Sequence, residues 1–386
     1  MRAGVNIFVI AGEPSGDKLG AALMAGLIRL DSGIRFDGVG GDEMTAQGLR
    51  SRFPMADLSV MGLAEILPRI RLLRRRITET ADAILNRQPD LIVTIDSPDF
   101  CLRVLKKVRA SMPDIPVVHY VAPSVWAWRP GRAARMAPLV DHVLALLPFE
   151  PPYMMAAGMG CDFVGHPVVA EPRATADEIA SLKARFSGPI ALVLPGSRGG
   201  EIARLAPRFG TALGQGLPAG TTILVPTVVA QYDAMCAAVA RWPFPAHVLV
   251  DAQEKRAAFA AADFALAASG TVSLELAANA TPMIIAYDVS PLTRFIVERL
   301  IGIDTVTLVN LVSETRAVPE LLGRDCTAQK IADALQSLIA DPAAQGAQLA
   351  AMQLCMERLG QGGEPPGLRA AASVLDFKKR TRRATD

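Results

Sequence analysis

Short apolar runs recur along the first part of the chain, and each is followed by a longer stretch in which apolar residues have helical spacing. The runs are continuous in Val, Ile and Leu, a pattern typical of parallel strands that are buried on both faces. This alternation of strand and helix predicts a doubly wound α/β sheet. The expected strands are 6–10, 91–95, 117–121 and 142–146, and the expected helices are 18–29, 63–87 and 100–110.

The alternation breaks at G-H-P and E-P, between residues 165 and 172, and then restarts. The break predicts a hinge near Pro167–Pro172 and a second α/β domain beyond it, with the ligand loops of both domains facing a common cleft. The strands expected in the second domain are 190–194, 222–225, 246–250, 264–267 and 283–286. The helices expected there are 201–213, 229–241, 254–261 and 273–279.

These patterns divide the chain into two domains and a C-terminal segment. We expect the domains to span 1–168 and 169–345. The remaining segment, 346–386, is expected to hold helices that pack back on the first domain. Its last short helix is expected to end near Asp376, and the basic tail 378–386 is expected to fray.

Composition narrows the possible functions. Of the 386 residues, 51% are hydrophobic and 20% are charged, which excludes a chain that is disordered throughout. The 40 basic and 38 acidic residues leave a net charge of +2, which argues against nucleic-acid binding over the whole surface. Mean hydropathy is high at +0.29, yet no apolar run is long enough to span a bilayer, and we expect no signal peptide. Five scattered cysteines and four dispersed histidines indicate reduced, cytoplasmic thiols and no metal site.

Two loops of the first domain carry small polar and acidic residues. The sequence A-G-E-P-S-G-D at 11–17 favours a loop whose backbone approaches a ligand over the alternative, a tight turn with a helix cap. Asp96 and Asp99 lie at the carboxyl end of an expected central strand. One of the two could act as a general base, and Asp99 could instead cap the next helix.

A third loop, 120–132, concentrates aromatic and basic residues. It holds two of the three tryptophans, Trp126 and Trp128, followed by Arg129 and Arg132. Tryptophan faces stack on sugars and arginine meets phosphate, which favours a ligand site. The alternative is a loop that its aromatic residues pin to the core.

Two Gly-containing loops of the second domain each follow an apolar strand and begin a helix. The sequence P-G-S-R-G-G-E at 195–201 combines backbone N–H groups with a guanidinium, which predicts a diphosphate cradle. The sequence S-G-T at 269–271 is of the same kind, and Glu275 could accept hydrogen bonds from two ribose hydroxyls or lie on a solvated helix face. The chain has no P-loop lysine, which disfavours ATP hydrolysis, and no Asp-x-Asp metal signature. A sugar-nucleotide transferase without that signature must neutralise the departing diphosphate with protein groups.

The stretch 60–77 mixes bulky apolar residues with five arginines. On a helix this pattern could lie at a membrane surface, with the arginines meeting anionic head groups. Composition alone favours a helix that packs on the core and has a solvated basic face.

Taken together, the motifs resemble those of the lipid-A-disaccharide synthase family, in the same order, from Ile7 to about Leu338. The motifs that carry the resemblance are A-G-E-P-S-G-D at 11–17, I-D-S-P-D-F at 95–100, H-Y-V-A-P-S-V-W-A-W-R at 119–129, L-P-F-E at 147–150, F-V-G-H-P at 163–167, L-P-G-S-R-G-G-E at 194–201 and S-G-T at 269–271.

The resemblance implies a GT-B fold, with two Rossmann-like domains and a catalytic cleft between them. It implies transfer of 2,3-diacylglucosamine from UDP to the 6-hydroxyl of 2,3-diacylglucosamine 1-phosphate, with inversion and without a cofactor. The implied location is the cytoplasmic face of the inner membrane, and a homo-oligomer is compatible with it.

The resemblance also gives roles to residues. It implies Asp99 as the general base, with Asp96 as the second choice. The residues implied on the donor side are Ser197, Arg198, Ser269, Gly270, Thr271, Glu275 and Asn310. Those implied on the acceptor side are Ser15, Asp17, Trp126 and Arg129. Those implied at the membrane are Leu63, Ile66, Leu67, Ile70, Leu73, Arg71, Arg74 and Arg75.

One position departs from the family pattern, and rival functions stay open. The family commonly reads E-L-L-Q where this chain has Glu320-Leu321-Leu322-Gly323, so Gly323 receives no role and Glu320 is a weak candidate. The rivals are the transferase that adds N-acetylglucosamine to lipid-linked muramyl peptide, a UDP-N-acetylglucosamine 2-epimerase, and a sugar-nucleotide-binding protein without activity.

Overall fold

The computed structural model describes the backbone of residues 4–58, 63–127, 131–289 and 304–385, without the side chains of 63–68 and 382–385. The chain forms two compact units. The first is Met1–Pro167 together with Gly362–Asp386, and the second is Val168–Gln361.

The first unit is built on a parallel sheet with the order β2-β1-β3-β4-β5-β6. Its strands are β1 Asn6–Ala11, β2 Arg35–Val39, β3 Leu91–Ile95, β4 Val117–Tyr120, β5 His142–Ala145 and β6 Gly160–Phe163. Successive β1 residues enter the cores on opposite faces of the sheet, as in Ile7 and Phe8. The chain runs from β1 outward to β2 and then back to β3 on the other side. The strand order therefore reverses between β1 and β3, where α/β sheets bind their ligands.

Helices cover both faces of this sheet. In chain order they are α1 Pro14–Leu30, α2 Asp42–Ala46, α3 Leu63–Arg87, α4 Pro98–Arg109, α5 Gly131–Met136 and α6 Pro151–Ala156. A proline occupies the first turn of α1, α4 and α6, where its missing N–H is not needed.

The second unit repeats the architecture with the order β12-β11-β10-β7-β8-β9, again all parallel. Its strands are β7 Ile190–Leu194, β8 Thr222–Pro226, β9 His247–Leu249, β10 Phe264–Ala267, β11 Met283–Tyr287 and β12 Glu320–Leu322. Its helices are α7 Ala176–Lys183, α8 Gly199–Gly216, α9 Tyr232–Val239, α10 Ala252–Ala261, α11 Val272–Ala278, α12 Leu308–Ser313, α13 Ala328–Ala340 and α14 Pro342–Arg358. Here the order reverses between β7 and β10.

The last helix, α15 Pro366–Thr385, belongs to the first unit and packs on α1. The two backbones approach closely at Gly26 and Gly367, where a Cβ atom would lie 2.7 Å from a backbone oxygen of the other helix. The expected segment 346–386 is thus divided, because α14 packs on α11 and α12 of the second unit. The expectation of a helix end near Asp376 was also wrong.

No helix within the described ranges is both long enough and apolar enough to cross a membrane.

Candidate active site

The loops that follow β1 and β3 meet at the point where the first sheet reverses its order. A Cβ atom at Gly12 would lie 2.7 Å from Oγ of Ser97, so a side chain at this position would force Ser97 to shift. The contact joins the A-G-E-P-S-G-D and I-D-S-P-D-F motifs that the sequence singled out separately.

The backbone at the end of β3 is strained. Asp96 and Ser97 are consecutive residues with positive φ, +50° and +42°, in the region that side chains rarely adopt. The Asp96 N–H donates to the Tyr120 carbonyl at 3.0 Å, which fixes the turn to the end of β4. Strain of this kind costs about 1–3 kcal/mol per residue and is concentrated at functional sites.

A pocket of about 140 Å³ opens beside this turn. It is lined by Asp96, Pro98, His119, Val121, Ala122, Pro123, Ser124 and Arg132. His119 is buried, its Nδ1 lies 2.7 Å from Oγ1 of Thr94, and burial lowers the pKa of its imidazole to about 4. The ring is therefore neutral, and the pocket combines a carboxylate, a neutral imidazole, a hydroxyl and a guanidinium.

Of the two candidate bases, Asp96 lines the pocket and Asp99 does not. Asp99 is exposed in the first turn of α4, where a carboxylate stabilises the positive end of the helix dipole. Of the two carboxylates, only that of Asp96 is therefore at this pocket.

The aspartate of the first motif, Asp17, bonds to backbone groups of the first unit. Asp17 is only 4% exposed, and its carboxylate accepts hydrogen bonds from the backbone N–H groups of Gly41, Glu43 and Met44 at 2.8–3.1 Å. It thereby caps α2, whose own N-cap residue is a glycine. Ser15 is exposed in the first turn of α1.

Trp126, in the loop 120–132, is held by two residues of the L-P-F-E motif. The Trp126 indole Nε1 donates to Oε1 of Glu150 at 3.3 Å, and its ring meets that of Phe149 edge-on, with centroids 5.1 Å apart. Sequence reasoning gave Glu150 no role. Arg129 lies outside the described residues.

In the second unit, the loop from β7 to α8 is organised by a residue that the sequence left without a role. Glu201 accepts from the Ser197 N–H at 3.2 Å and from the Tyr287 hydroxyl at 3.1 Å, and its Oε1 lies 3.5 Å from the Arg198 guanidinium. Gly196 has φ +116°, and a Cβ atom there would lie 2.6 Å from Glu201. Glutamate at the third helical position is the signal that points to such a role.

The loop from β10 to α11 lies beside this one, because β7 and β10 are neighbouring strands and the Ala268 N–H donates to the Leu194 carbonyl at 2.8 Å. Gly270 has φ +138° and is exposed together with Thr271. The shared ends of these strands thus carry exposed backbone from both loops. The predicted donor-side residues found at these ends are Ser197, Arg198, Ser269, Gly270 and Thr271, with Glu275 half-buried one turn into α11.

Asn310 is not exposed at these loops. Its side chain is fully buried, donating to the Val318 carbonyl at 2.9 Å and accepting from the Val318 N–H at 3.0 Å. Glu320 likewise accepts from the backbone N–H groups of Val306 and Thr307. Both side chains hold the segment before β12, which is a structural role.

A second pocket, of about 360 Å³, includes the position that departs from the family pattern. Gly323 has φ +57°, a conformation that glycine adopts without strain. The Arg208 guanidinium in this pocket pairs with buried Asp288 at 2.6 Å.

Helix α3 presents a basic, partly apolar surface. Ile70 is 38% exposed beside exposed Arg71 and Arg74, whereas Leu73 is half-buried and Arg75 pairs with Glu79 at 2.7 Å. The side chains of Leu63, Ile66 and Leu67 lie outside the described residues.

Within the described part of the chain, no three His, Cys, Asp or Glu side chains group closely enough to hold a metal ion.

Two parallel α/β units, each with loops at the reversal of its strand order, define a protein of the GT-B class. Solved structures agree. The UDP-GlcNAc 2-epimerase from Neisseria meningitidis bound to UDP-GlcNAc has a TM-score of 0.63 at 12% identity, covering 97% of this chain and 99% of its own. The calicheamicin glycosyltransferase CalG4 has a TM-score of 0.55 at 17% identity, covering 98% and 99%. At these identities the likeness concerns the fold alone.

Sequence comparison is more specific. The pattern of the family described as lipid-A-disaccharide synthetase matches residues 7–363. The lipid-A-disaccharide synthase of Ruegeria pomeroyi is 61% identical, over 97% of this chain and 96% of its own length. That of Rhodospirillum centenum is 47% identical, over 96% and 94%. The chain belongs to the lipid-A-disaccharide synthase family, and it is a glycosyltransferase of lipid A synthesis.

Proposed function

We propose that the enzyme transfers 2,3-diacylglucosamine from UDP to the 6-hydroxyl of 2,3-diacylglucosamine 1-phosphate, with inversion and with Asp96 as the general base. The observation that carries the proposal is the position of Asp96, held by a strained turn in a pocket at the reversal of the first sheet. Family membership supports the choice of substrates.

In this reaction the Asp96 carboxylate takes the proton of the 6-hydroxyl while the hydroxyl oxygen bonds to the anomeric carbon of the donor. The bond from that carbon to UDP breaks, and its electron pair leaves with the diphosphate. Attack on the face opposite UDP converts an α-linked donor to a β-linked product. The neutral His119 and the Arg132 guanidinium supply hydrogen bonds to the acceptor.

The departing diphosphate carries negative charge that the second unit is suited to neutralise. The N-terminus of α8 offers exposed N–H groups at Gly199 and Gly200 next to the Arg198 guanidinium, and the Thr271 loop lies beside it. Glu275 would bind the ribose hydroxyls.

We further propose that α3 contacts the inner leaflet of the inner membrane, where both lipid substrates reside. Its exposed Ile70, Arg71 and Arg74 fit an anionic lipid surface.

UDP release tests the reaction. The wild type should release UDP from UDP-2,3-diacylglucosamine only when 2,3-diacylglucosamine 1-phosphate is present, in detergent with EDTA. Asp96→Asn tolerates the positive φ and removes the base, so kcat should fall by about 10²–10⁴-fold with UDP binding kept.

The matched control is Asp99→Asn, which should leave kcat within about threefold, because it removes only a helix-terminus charge. Loss of turnover in this variant but not in Asp96→Asn would assign the base to Asp99. Release that does not depend on the acceptor would contradict the transferase reaction.

A further inference from the structure

Glu150 is a buried carboxylate that the reaction above does not use. It lies between β5 and α6 and is 4% exposed. No Lys or Arg of the described ranges forms an ion pair with it. Burying a carboxylate that has no cation partner costs free energy unless its oxygens accept hydrogen bonds. The hydrogen bonds of Glu150 therefore indicate which groups hold it in place.

The hydrogen bonds of Glu150 connect two loops. Oε2 accepts from the backbone N–H groups of Leu146 and Leu147 at 3.2 and 3.0 Å, at the end of β5. Oε1 accepts from the Trp126 indole at 3.3 Å. The first two contacts fix the carboxylate to the sheet, and the third fixes the Trp126 loop to the carboxylate.

That loop forms a wall of the Asp96 pocket. Val121, Ala122, Pro123 and Ser124 line the pocket, and Trp126 follows two residues later. Ala122 and Val125 of this loop pack into the core, and the half-buried Trp126 is held by Phe149 against its edge and by the hydrogen bond to Glu150.

We propose that Glu150 is a positioning residue, which in its ionised form holds Trp126 and thereby sets the pocket wall against the acceptor sugar beside Asp96. On protonation the carboxyl group loses its negative charge, and the bond from the indole becomes a weaker one between neutral groups. This inference rests on the proposed function, which supplies the acceptor.

The ionisation of Glu150 changes near neutral pH. Burial raises the pKa of its carboxyl to about 7, although the hydrogen bonds from Leu147, Trp126 and Leu146 oppose the shift. The ionised form therefore prevails above neutrality and the protonated form below it.

Few other groups that titrate lie around this carboxylate in the described ranges. On β6 Cys161 faces it, and burial raises the pKa of that thiol to about 12, so Cys161 stays neutral. Its neighbour Asp162 instead accepts from Ser373 at 2.6 Å. The described part of the Trp126 loop, 121–127, has only uncharged side chains, and Tyr153 of α6 is 46% exposed.

Glu150→Gln tests the proposal, because glutamine keeps the size and accepts from the backbone N–H groups, but its amide nitrogen cannot accept from the indole. The variant thus resembles the protonated enzyme at every pH. At about pH 8 its kcat should be about tenfold below the wild type, the value of one positioning hydrogen bond, with the donor KM unchanged. At about pH 6 the two enzymes should converge.

Trp126→Phe provides a second route to the same result. It keeps Glu150 and removes the N–H donor, so its kcat should be as low as that of Glu150→Gln at about pH 8 and should likewise converge with the wild type at about pH 6. Cys161→Ala is the control, and its kcat should change with pH as that of the wild type does. A ratio of wild type to Glu150→Gln that is constant with pH would overturn the proposal.

Fluorescence follows the contact independently of turnover. The difference between the wild-type spectrum and that of Trp126→Phe reports Trp126, and it should show a transition near pH 7. Introducing Glu150→Gln into both proteins should abolish that transition. If the Trp126 transition persists in the Glu150→Gln background, the role of Glu150 is refuted. If the transition is abolished as expected but the wild type has no synthase activity, only the proposed function is refuted.

Discussion

At the scale of residues, Asp96 and Asp99 show how backbone conformation separates two similar carboxylates. Both follow the same buried strand, and sequence spacing assigns each of them a plausible role. Their difference comes from two consecutive left-handed residues, Asp96 and Ser97, and from the approach of Gly12. Such conformations depend on contacts between loops far apart in the chain, which periodicity does not encode.

Polar residues near the predicted site were harder to interpret. Asp17 and Asn310 were expected to contact ligands, but their side chains bond to backbone groups of their own units. A sequence motif does not distinguish these roles, because a capping carboxylate and a binding carboxylate occur in the same kinds of loop. The loops holding Ser197 and Thr271 were predictable, because a glycine-rich turn before a helix leaves N–H groups free.

Tyr120 leads to a prediction about stability. Its hydroxyl is fully buried in the first unit and has no hydrogen-bond partner among the described residues. Tyr120→Phe should therefore raise the free energy of unfolding by about 1 kcal/mol, because an unsatisfied polar group is removed. Urea unfolding of the two proteins measures the change, and a clear loss of stability would show that the hydroxyl is satisfied in solution.

At the scale of elements, the central strands and α3 follow their sequence patterns closely. The strands missed were β2, β6 and β12, all at sheet edges. An edge strand is partly exposed, so its sequence is short and mixed, as in R-F-D-G-V, G-C-D-F and E-L-L, and lacks the continuous apolar run of a central strand.

Helix α3 yields a prediction for lipid binding. Ile70→Ser should weaken binding to vesicles containing phosphatidylglycerol by about tenfold to a hundredfold, since burying one such side chain contributes about 1.5–3 kcal/mol. Leu349→Ser is a matched control, because Leu349 of α14 is 39% exposed and Ile70 is 38% exposed. Co-sedimentation measures both variants, and equal binding by the folded Ile70→Ser protein and the wild type would exclude a membrane contact at this residue.

At the scale of the whole molecule, the packing position of α15 cannot be predicted from the local sequence. Its helical pattern is visible, but its partner is α1, more than 300 residues earlier in the chain. Gly26 and Gly367 allow this packing, and neither is distinguishable in sequence from a glycine that merely weakens a helix. The chain passes from the first unit to the second after Pro167, close to the break predicted near Pro167–Pro172. It passes back at Gly362, where the sequence shows a break in the helical pattern but does not indicate a change of unit.

This packing can be tested with a pair of glycine substitutions. Gly367→Ala should lower the free energy of unfolding by about 1–3 kcal/mol, because the added Cβ atom would lie 2.7 Å from the Ala22 carbonyl oxygen. Gly346→Ala, in α14, has open space around it and should leave stability unchanged or raise it by up to about 1 kcal/mol. Thermal unfolding compares the two variants, and equal unfolding temperatures would argue against close packing at Gly367.

The division of the first unit between both ends of the chain has a consequence for biosynthesis. A ribosome completes residues 1–167 long before it makes α15, so the nascent first unit presents the uncovered apolar side of α1 while the second unit is being translated. The second unit, continuous from 168 to 361, can fold during this interval. We therefore expect a chain released before α15 is made to fold its second unit and to aggregate through its first.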